Sequence, residues 1–465
     1  MTTRTRPKSN PLIPREHLAT FLLLTFCFAA WGLANNMTDP LVRVFGRIFT
    51  MTAVQSSLVQ FSFYGAYFCL ALPAAILVKK FSYKTGILVG LGMFSLGAFL
   101  FLPASHIREF GPFLIAIFVL AGGLSILETS CNPCILSLGS EETATRRLNL
   151  AQSFNPVGSL VGTILAGFLI LPMVHPAGDA ERKEMPIEQL QAIQDQELAA
   201  VMGPYVGVAI GLVLLWVLIA CKRMPPSRDA GEQLQLGATL RRLSGNRHYV
   251  FGVVAQFFYV AAQICVWTFT IHYIVGVVEA GQGDSLVWFL EATGLSGFLE
   301  FLRLTQPGSE MTPETVAGMF HILALLSFLL SRFFFTAVML VIPANLLLTI
   351  CAIVAALLAL GCVFLSGLLG VLCLIAISAN MSLMFPTIYG IALRGLGGDL
   401  KIGGAGLVMA ILGGALLPLV QGALVDARGP AFSYLVPFFC FLVVAAYGAL
   451  DLRRGPTPSP SALPT

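Results

Sequence analysis

The stretch Pro112-Phe113-Leu114-Ile115-Ala116-Ile117-Phe118-Val119-Leu120-Ala121-Gly122-Gly123-Leu124-Ser125-Ile126-Leu127-Glu128-Thr129-Ser130-Cys131-Asn132-Pro133-Cys134-Ile135-Leu136-Ser137 decides the class of fold. A helix of about 20 mostly apolar residues crosses a bilayer, and this run exceeds that length with one ionisable carboxylate, Glu128. The rest of the chain has the same character. Of 465 residues 57% are apolar and only 11% charged, where a soluble domain carries roughly 25% charged residues; mean hydropathy is +0.85. A soluble interior has no room for so much apolar side chain, and a disordered chain has the opposite balance. With 27 Lys+Arg against 23 Asp+Glu there is no strong basic field for nucleic acid. The chain is read as an all-α integral membrane protein whose first partner is the lipid bilayer.

Working outward from that run gives twelve candidate spans, near 18–38, 56–78, 85–103, 112–137, 148–171, 204–221, 248–277, 315–338, 343–365, 367–393, 403–425 and 431–451. The eighth contains Arg332-Phe333-Phe334-Phe335, read as an interruption near an inner turn. Lys and Arg collect on cytoplasmic loops. Placing both termini inside puts 20 of the 27 Lys and Arg residues, Arg332 among them, on inner segments. Arg15 followed by Leu18–Ala30 has the outline of a signal peptide. It is read as a retained first helix, since its removal would leave eleven spans and spoil the charge bias. The expected location is the inner cell membrane.

Residues 222–247 form a basic inner linker that divides the spans six and six. The expected domains are an N-terminal half at 1–221, that linker, a C-terminal half at 248–452 and a disordered tail at 453–465. Duplicated halves are common among secondary transporters. Asn132-Pro133 followed by Leu138-Gly139 is echoed about 255 residues later by Phe385-Pro386 and Leu396-Gly397. Two outer loops are long. The one at 173–203 holds a short amphipathic helix at Met185–Met202. That at 278–314 carries apolar positions suited either to a helix lying on the membrane face or to a lid over a substrate entrance. The ten cysteines lie in or at the ends of apolar runs and read as small hydrophobes. Nothing completes a metal or redox site around Cys131 and Cys134.

Two carboxylates fall within the spans: Asp39, which ends the first, and Glu128, in the middle of the fourth. A charged residue at a helix centre costs roughly 2.5–3.5 kcal/mol on insertion scales. With every Lys and Arg assigned to a loop, Glu128 has no cationic partner in this reading. Desolvation disfavours its charged form, so it can take up and release a proton near physiological pH, as a proton-coupled carrier requires. The other reading is a permanently protonated side chain that bonds between helices. Asp39 serves either at the mouth of a pathway or as a solvated helix end. Around the two carboxylates lie Trp31, Asn35, Asn36, Asn132, Asn149, Gln152, Asn155, Gln256, Tyr259, Gln263 and Trp267. Amides exchange hydrogen bonds with hydroxyls and an indole face stacks on a sugar ring, so the set suits a monosaccharide; the alternative is that the amides glue helices together. His272 and His321 read as structural. No Ser/His or metal-ligand constellation points to an enzyme.

The motifs Trp31–Asp39, Leu127–Pro133, Arg147–Asn155, Ala255–Tyr259 with Ala262-Gln263, and Pro386–Tyr389 carry a resemblance over about 20–447. Through them the chain resembles the fucose–galactose–glucose proton-symporter family of the major facilitator superfamily. The resemblance implies twelve transmembrane helices in two six-helix halves and alternating access. It implies a proton as coupling ion, no resident cofactor, and a protein that works as a monomer. Asp39 matches the carboxylate that serves proton coupling, and Glu128 the one that serves sugar recognition with a role in protonation. The substrate set is then Trp31, Asn35, Asn36, Glu128, Asn132, Gln152, Asn155, Gln256, Tyr259 and Gln263. Met384 and Phe385 depart from the Gln and Tyr found in members that carry L-fucose, and the 278–314 loop is longer than in the family. Sodium-coupled or uncoupled carriage and a sugar sensor are the remaining alternatives.

Overall fold

The computed structural model describes residues 11–48, 53–107, 109–165, 185–224, 235–297 and 312–454. Among them the secondary structure is helical, with no strand. The first helices are α1 (Leu18–Ile48), α2 (Ala53–Lys80), α3 (Tyr83–Ile107) and α4 (Phe110–Ser137). A broken span follows as α5 (Ala144–Gln152) and α6 (Phe154–Leu165), then α7 (Ile187–Cys221). The linker carries α8 (Leu236–Gly245) and leads into α9 (Arg247–Val277) and the outer α10 (Gly283–Ala292). The remaining helices are α11 (Pro313–Val338), α12 (Ala344–Phe364), α13 (Gly367–Met381) and α14 (Met384–Ala392). Last come α15 (Leu400–Met409), α16 (Gly413–Arg428) and α17 (Leu435–Arg454).

Eleven helical runs among the described residues are long and apolar enough to cross a membrane. The span expected at 148–171 begins as α5 and α6, and 166–184 lie outside the described residues, as do 225–234 of the linker, 298–311 of the outer loop and the tail from 455. The bundle is apolar outside and polar within, the pattern lipid imposes. Phe26, Phe61, Ile115, Leu214, Leu357 and Leu419 are exposed, whereas Glu128, Arg147, Arg332 and Lys401 are buried. All ten cysteines are free thiols.

Three sequence expectations need correction. Arg332 is no turn residue: α11 runs unbroken through it, and its side chain is 3% exposed inside the bundle. The bias of Lys and Arg to one side survives its removal. The amphipathic segment Met185–Met202 is not a separate short helix; from Ile187 it continues into the sixth span as α7. Nothing between them breaks the chain, because the proline there, Pro204, sits inside the helix, as prolines in membrane helices can. The linker is partly helical, as α8.

Three features of the fold build the site. The first is a close crossing of α1 and α6. A side chain at Gly32, Gly158 or Gly162 would run into the backbone of Asn155, Ala29 or Leu33, so small residues let the two backbones touch and set Trp31 beside Asn155. The second is a set of helix breaks: Ser153 between α5 and α6, Ser382–Leu383 between α13 and α14, and the tight turn Ala410–Leu412 between α15 and α16. Broken helices at membrane depth persist where they are buried in protein or line a cavity. The third is Arg147, wholly buried on α5. It donates through Nε to Ile135 O at 2.8 Å and through Nη2 to Leu136 O at 2.6 Å. These are last-turn carbonyls of α4, where helical donors run out and Ile135 O otherwise has only the cap N–H of Leu138 at 3.3 Å, and a cation there also complements the helix dipole.

The basic end of the bundle is sealed by contacts between helices before and after the linker. Lys79 Nζ donates to Gly398 O at 3.2 Å, Gly395 N to Glu141 Oε1 at 2.9 Å, and Asn149 Nδ2 to Thr387 Oγ1 at 3.1 Å. The linker helix adds a bidentate pair, Arg242 Nε and Nη2 to the Asp399 carboxylate at 2.7 and 2.6 Å, the strong geometry for such a pair.

Candidate functional site

Above that seal, helices from both ends of the chain line a cavity of about 110 Å³. Trp31 enters from α1, Tyr64 and Tyr67 from α2, and Gln152 and Asn155 from either side of the α5–α6 break. Gln263 and Trp267 come from α9, Phe328 and Arg332 from α11, and Phe385 from α14. The wall is aromatic and aliphatic, with a few amides converging on it.

Each polar group on the wall is held by a partner or left open to a ligand. Gln152 Nε2 donates to Asn132 Oδ1 at 2.8 Å, which fixes its amide. Asn155 Nδ2 donates to Phe28 O at 3.3 Å across the α1–α6 crossing. Trp31 Nε1 donates to the Tyr67 hydroxyl oxygen at 2.6 Å. Trp267 sets its ring edge against Phe328 with centroids 5.0 Å apart, and its Nε1 makes no hydrogen bond among the described residues.

Arg332 closes the floor. Its Nε donates to Ser382 O at 2.5 Å and Nη1 to Gln152 O at 3.0 Å, while the guanidinium lies 4.6 Å from the Phe328 ring centroid. Both carbonyls belong to helix breaks. The one intramembrane arginine at the cavity therefore ties a helix before the linker to one after it, and two of its donors are committed to backbone rather than to an anionic ligand.

The sequence-predicted residues fall into three groups. Trp31, Gln152, Asn155 and Gln263 meet on the cavity wall. Glu128, Asn132, Gln256 and Tyr259 sit behind it, each 2% exposed or less. Neither Glu128 oxygen makes a hydrogen bond among the described residues, nor does the Gln256 amide. The polar side chain facing Glu128 from its own helix is Asn132. Tyr259 donates to Met381 O at 3.0 Å and is screened by Phe385, whose ring meets it edge-on at 6.2 Å. Asn35, Asn36 and Asp39 lie in α1, but their side chains fall outside the described residues.

Sequence reasoning missed Arg332 and Tyr67. An arginine within a 24-residue apolar run at 315–338 is itself the signal of an inward-facing charge. Tyr67 left a weaker one, its i, i+3 spacing from Tyr64 on a span.

Comparison with known proteins identifies the family. The family model for the Major Facilitator Superfamily matches residues 21–410. The chain is 38% identical over 449 residues to the L-fucose-proton symporter of Haemophilus influenzae, covering 94% of this chain and 97% of that one. It is 33% identical over 452 residues to the glucose/galactose transporter of Brucella abortus, covering 96% and 98%. A crystal structure of the superfamily transporter FucP in the outward conformation superposes with a TM-score of 0.81 at 33% identity, over 94% of this chain and 99% of that one. The chain belongs to the Major Facilitator Superfamily, as a member of the L-fucose-proton symporter-like family within it.

Proposed function

We propose that this chain is a proton-coupled symporter for a monosaccharide, L-fucose or a related hexose such as galactose or glucose. It moves sugar into the cell by alternating access between an N-terminal half, residues 1–221, and a C-terminal half, 248–452, joined by the linker 222–247. It sits in the inner cell membrane as a monomer with both termini cytoplasmic, and the seal described above is then its cytoplasmic gate. The proton is the coupling ion, and no resident cofactor takes part.

The observation that carries this reading is the composition of the cavity wall. Neutral amides at Gln152, Asn155 and Gln263 converge among Trp31, Trp267 and Phe385, with a buried carboxyl, Glu128, directly behind. Amides pair with ring hydroxyls and indole faces cover the C–H side of a sugar. Trp31, Asn35, Asn36, Gln152, Asn155 and Gln263 contact the sugar. Asn132, bonded to Gln152, holds that amide in place. Glu128, Gln256 and Tyr259 come into play as the cavity closes. Asp39 loads the proton from the outside. The printed functions of the relatives above, an L-fucose-proton symporter and a glucose/galactose transporter, support the same substrate class.

Sugar titration of the purified protein by calorimetry tests the wall. Gln152→Ala is expected to raise Kd about tenfold, the ~1.4 kcal/mol worth of one well-placed hydrogen bond. An unchanged Kd removes Gln152 from the contact set.

A further inference from the structure

At the basic end of the bundle three arginines gather where two helices meet the lipid. Arg247 opens α9, and Arg453 and Arg454 close α17; all three are exposed. The helices are packed neighbours running in opposite directions, and their contacts bring these ends together. His248 Nε2 donates to Asp451 Oδ1 at 2.9 Å, which sets Arg247 and Arg454 within about one turn of the same depth. A side chain at Gly252 would run into the Tyr447 phenol, so the contact is close.

Each arginine ends an apolar stripe. Val250, Phe251 and Val254 follow Arg247 at i+3, i+4 and i+7, on one face of α9, and all three are exposed. Phe439, Leu442 and Leu450 are exposed on α17, and Arg453 and Arg454 follow Leu450 at i+3 and i+4. Such a face of a spanning helix meets acyl chains, and an arginine just beyond it reaches the headgroups.

Protein does not balance the charge. The carboxylate of this edge, Asp451, is buried and already engaged: it accepts from His248 and from Asn345 Nδ2 at 2.9 Å and pairs with Arg394 Nη1 at 3.6 Å. Among the described residues none of the three arginines forms an ion pair, and 455–465 contain no Asp or Glu. Arg453 and Arg454 suit the end of a helix, whose dipole favours cations. Arg247 does not. It lies in the first turn of α9, where the dipole favours an anion. A bias of basic residues to one side orients a chain, but it does not require them to converge on one lipid-facing edge against a helix dipole.

We propose that this edge holds the headgroup of an anionic phospholipid. Its phosphate lies on the guanidiniums of Arg247, Arg453 and Arg454, and its acyl chains run along Phe251, Val254 and Leu450. Phosphate matches the planar fork of arginine, and a lipid uses the charge and the apolar stripes together. The bound lipid bridges the first turn of α9, where the linker ends, to the last turn of α17. With the termini cytoplasmic, as proposed above, it belongs to the inner leaflet; the binding itself is independent of the transport reading.

The test uses purified full-length protein in a neutral detergent. It is titrated with phosphatidylglycerol, with phosphatidylcholine of the same acyl chains and with glycerol phosphate, and binding is read by native mass spectrometry and by the melting temperature. A basic side chain near anionic lipid is worth about fivefold in affinity. Phosphatidylglycerol is therefore expected to bind at least about tenfold more tightly than phosphatidylcholine, with no measurable binding of glycerol phosphate. The triple variant Arg247→Gln, Arg453→Gln, Arg454→Gln is expected to erase the preference and to melt with the wild type in phosphatidylcholine, because no described ion pair is lost. Lysine at the same three positions keeps the charge and most of the preference. A control triple, Arg15→Gln, Lys80→Gln, Arg223→Gln, removes exposed charges at the same end but before the linker, and leaves the preference intact. Equal binding of the two lipids by the wild type would overturn the site. So would a preference that survives the first triple, or one lost equally in the control. Glycerol phosphate bound as tightly as phosphatidylglycerol would assign the arginines to a soluble anion and overturn the lipid.

Discussion

Glu128→Gln abolishes sugar-driven proton uptake while leaving a folded protein. That expectation follows from where the carboxyl lies. It is buried in the middle of α4, behind the cavity wall, and neither oxygen is hydrogen-bonded among the described residues. Carrying a charge at such a depth costs roughly 2.5–3.5 kcal/mol even on the lenient insertion scales. The loaded and unloaded protein thus differ by an energy large enough to bias which conformation is populated. Glutamine copies the shape of the protonated acid and cannot lose a proton. The variant is therefore locked in one charge state, and uphill accumulation falls to background. Counterflow persists with weakened affinity, and thermal unfolding in detergent is no earlier than in the wild type. Proton uptake at the wild-type rate in this variant would remove Glu128 from the coupling mechanism.

Arg332→Met has the next largest expected effect, for a different reason. Methionine keeps an unbranched apolar stem against Phe328 but removes the donors that hold Ser382 O and Gln152 O. Each of these carbonyls ends a helix segment at a break, where the helix supplies no replacement donor. An orphaned buried acceptor costs roughly 1–3 kcal/mol, so losing both disfavours the conformation that joins them by on the order of 3 kcal/mol, about a hundredfold in population. Uptake is expected to fall by more than about tenfold. A thiol reagent added from outside should then label a Leu160→Cys probe on the cavity wall more slowly in the Arg332→Met background. Uptake within about twofold of wild type, with unchanged labelling, would show that the clamp does not govern access.

Much of this architecture is written in the composition. Apolar runs near 20 residues mark the spans because lipid demands that length, and the excess of Lys and Arg on alternate loops gives their expected orientation. The cavity residues Trp31, Gln152, Asn155 and Gln263 were legible because polar groups at helical spacing inside apolar runs have few other uses. What stayed hidden depends on side-chain direction and on partners distant in the chain. Hydropathy gives Arg332 the same value whether it ends a span or points into the bundle, and its acceptors lie 50 and 180 residues away. Glu128 and Tyr259 show the limit from the other side. Their chemistry is visible in sequence, but whether they stand on the wall or behind it follows from the packing of Phe385 and α2. The break at Ser153 does carry a local mark, Pro156, which has no N–H to give the Gln152 carbonyl one turn back; what the sequence does not show is that Arg332 takes up that freed carbonyl.

The measurement that bears most directly on this account is the external pH of a lightly buffered, de-energised suspension of cells making the protein, with L-fucose, D-galactose and D-glucose added in turn. The account predicts prompt alkalinisation with at least one of the three, abolished by an uncoupler and absent in Glu128→Gln. A flat trace with all three, in cells shown to contain the protein in the membrane, would contradict proton-coupled transport of these sugars.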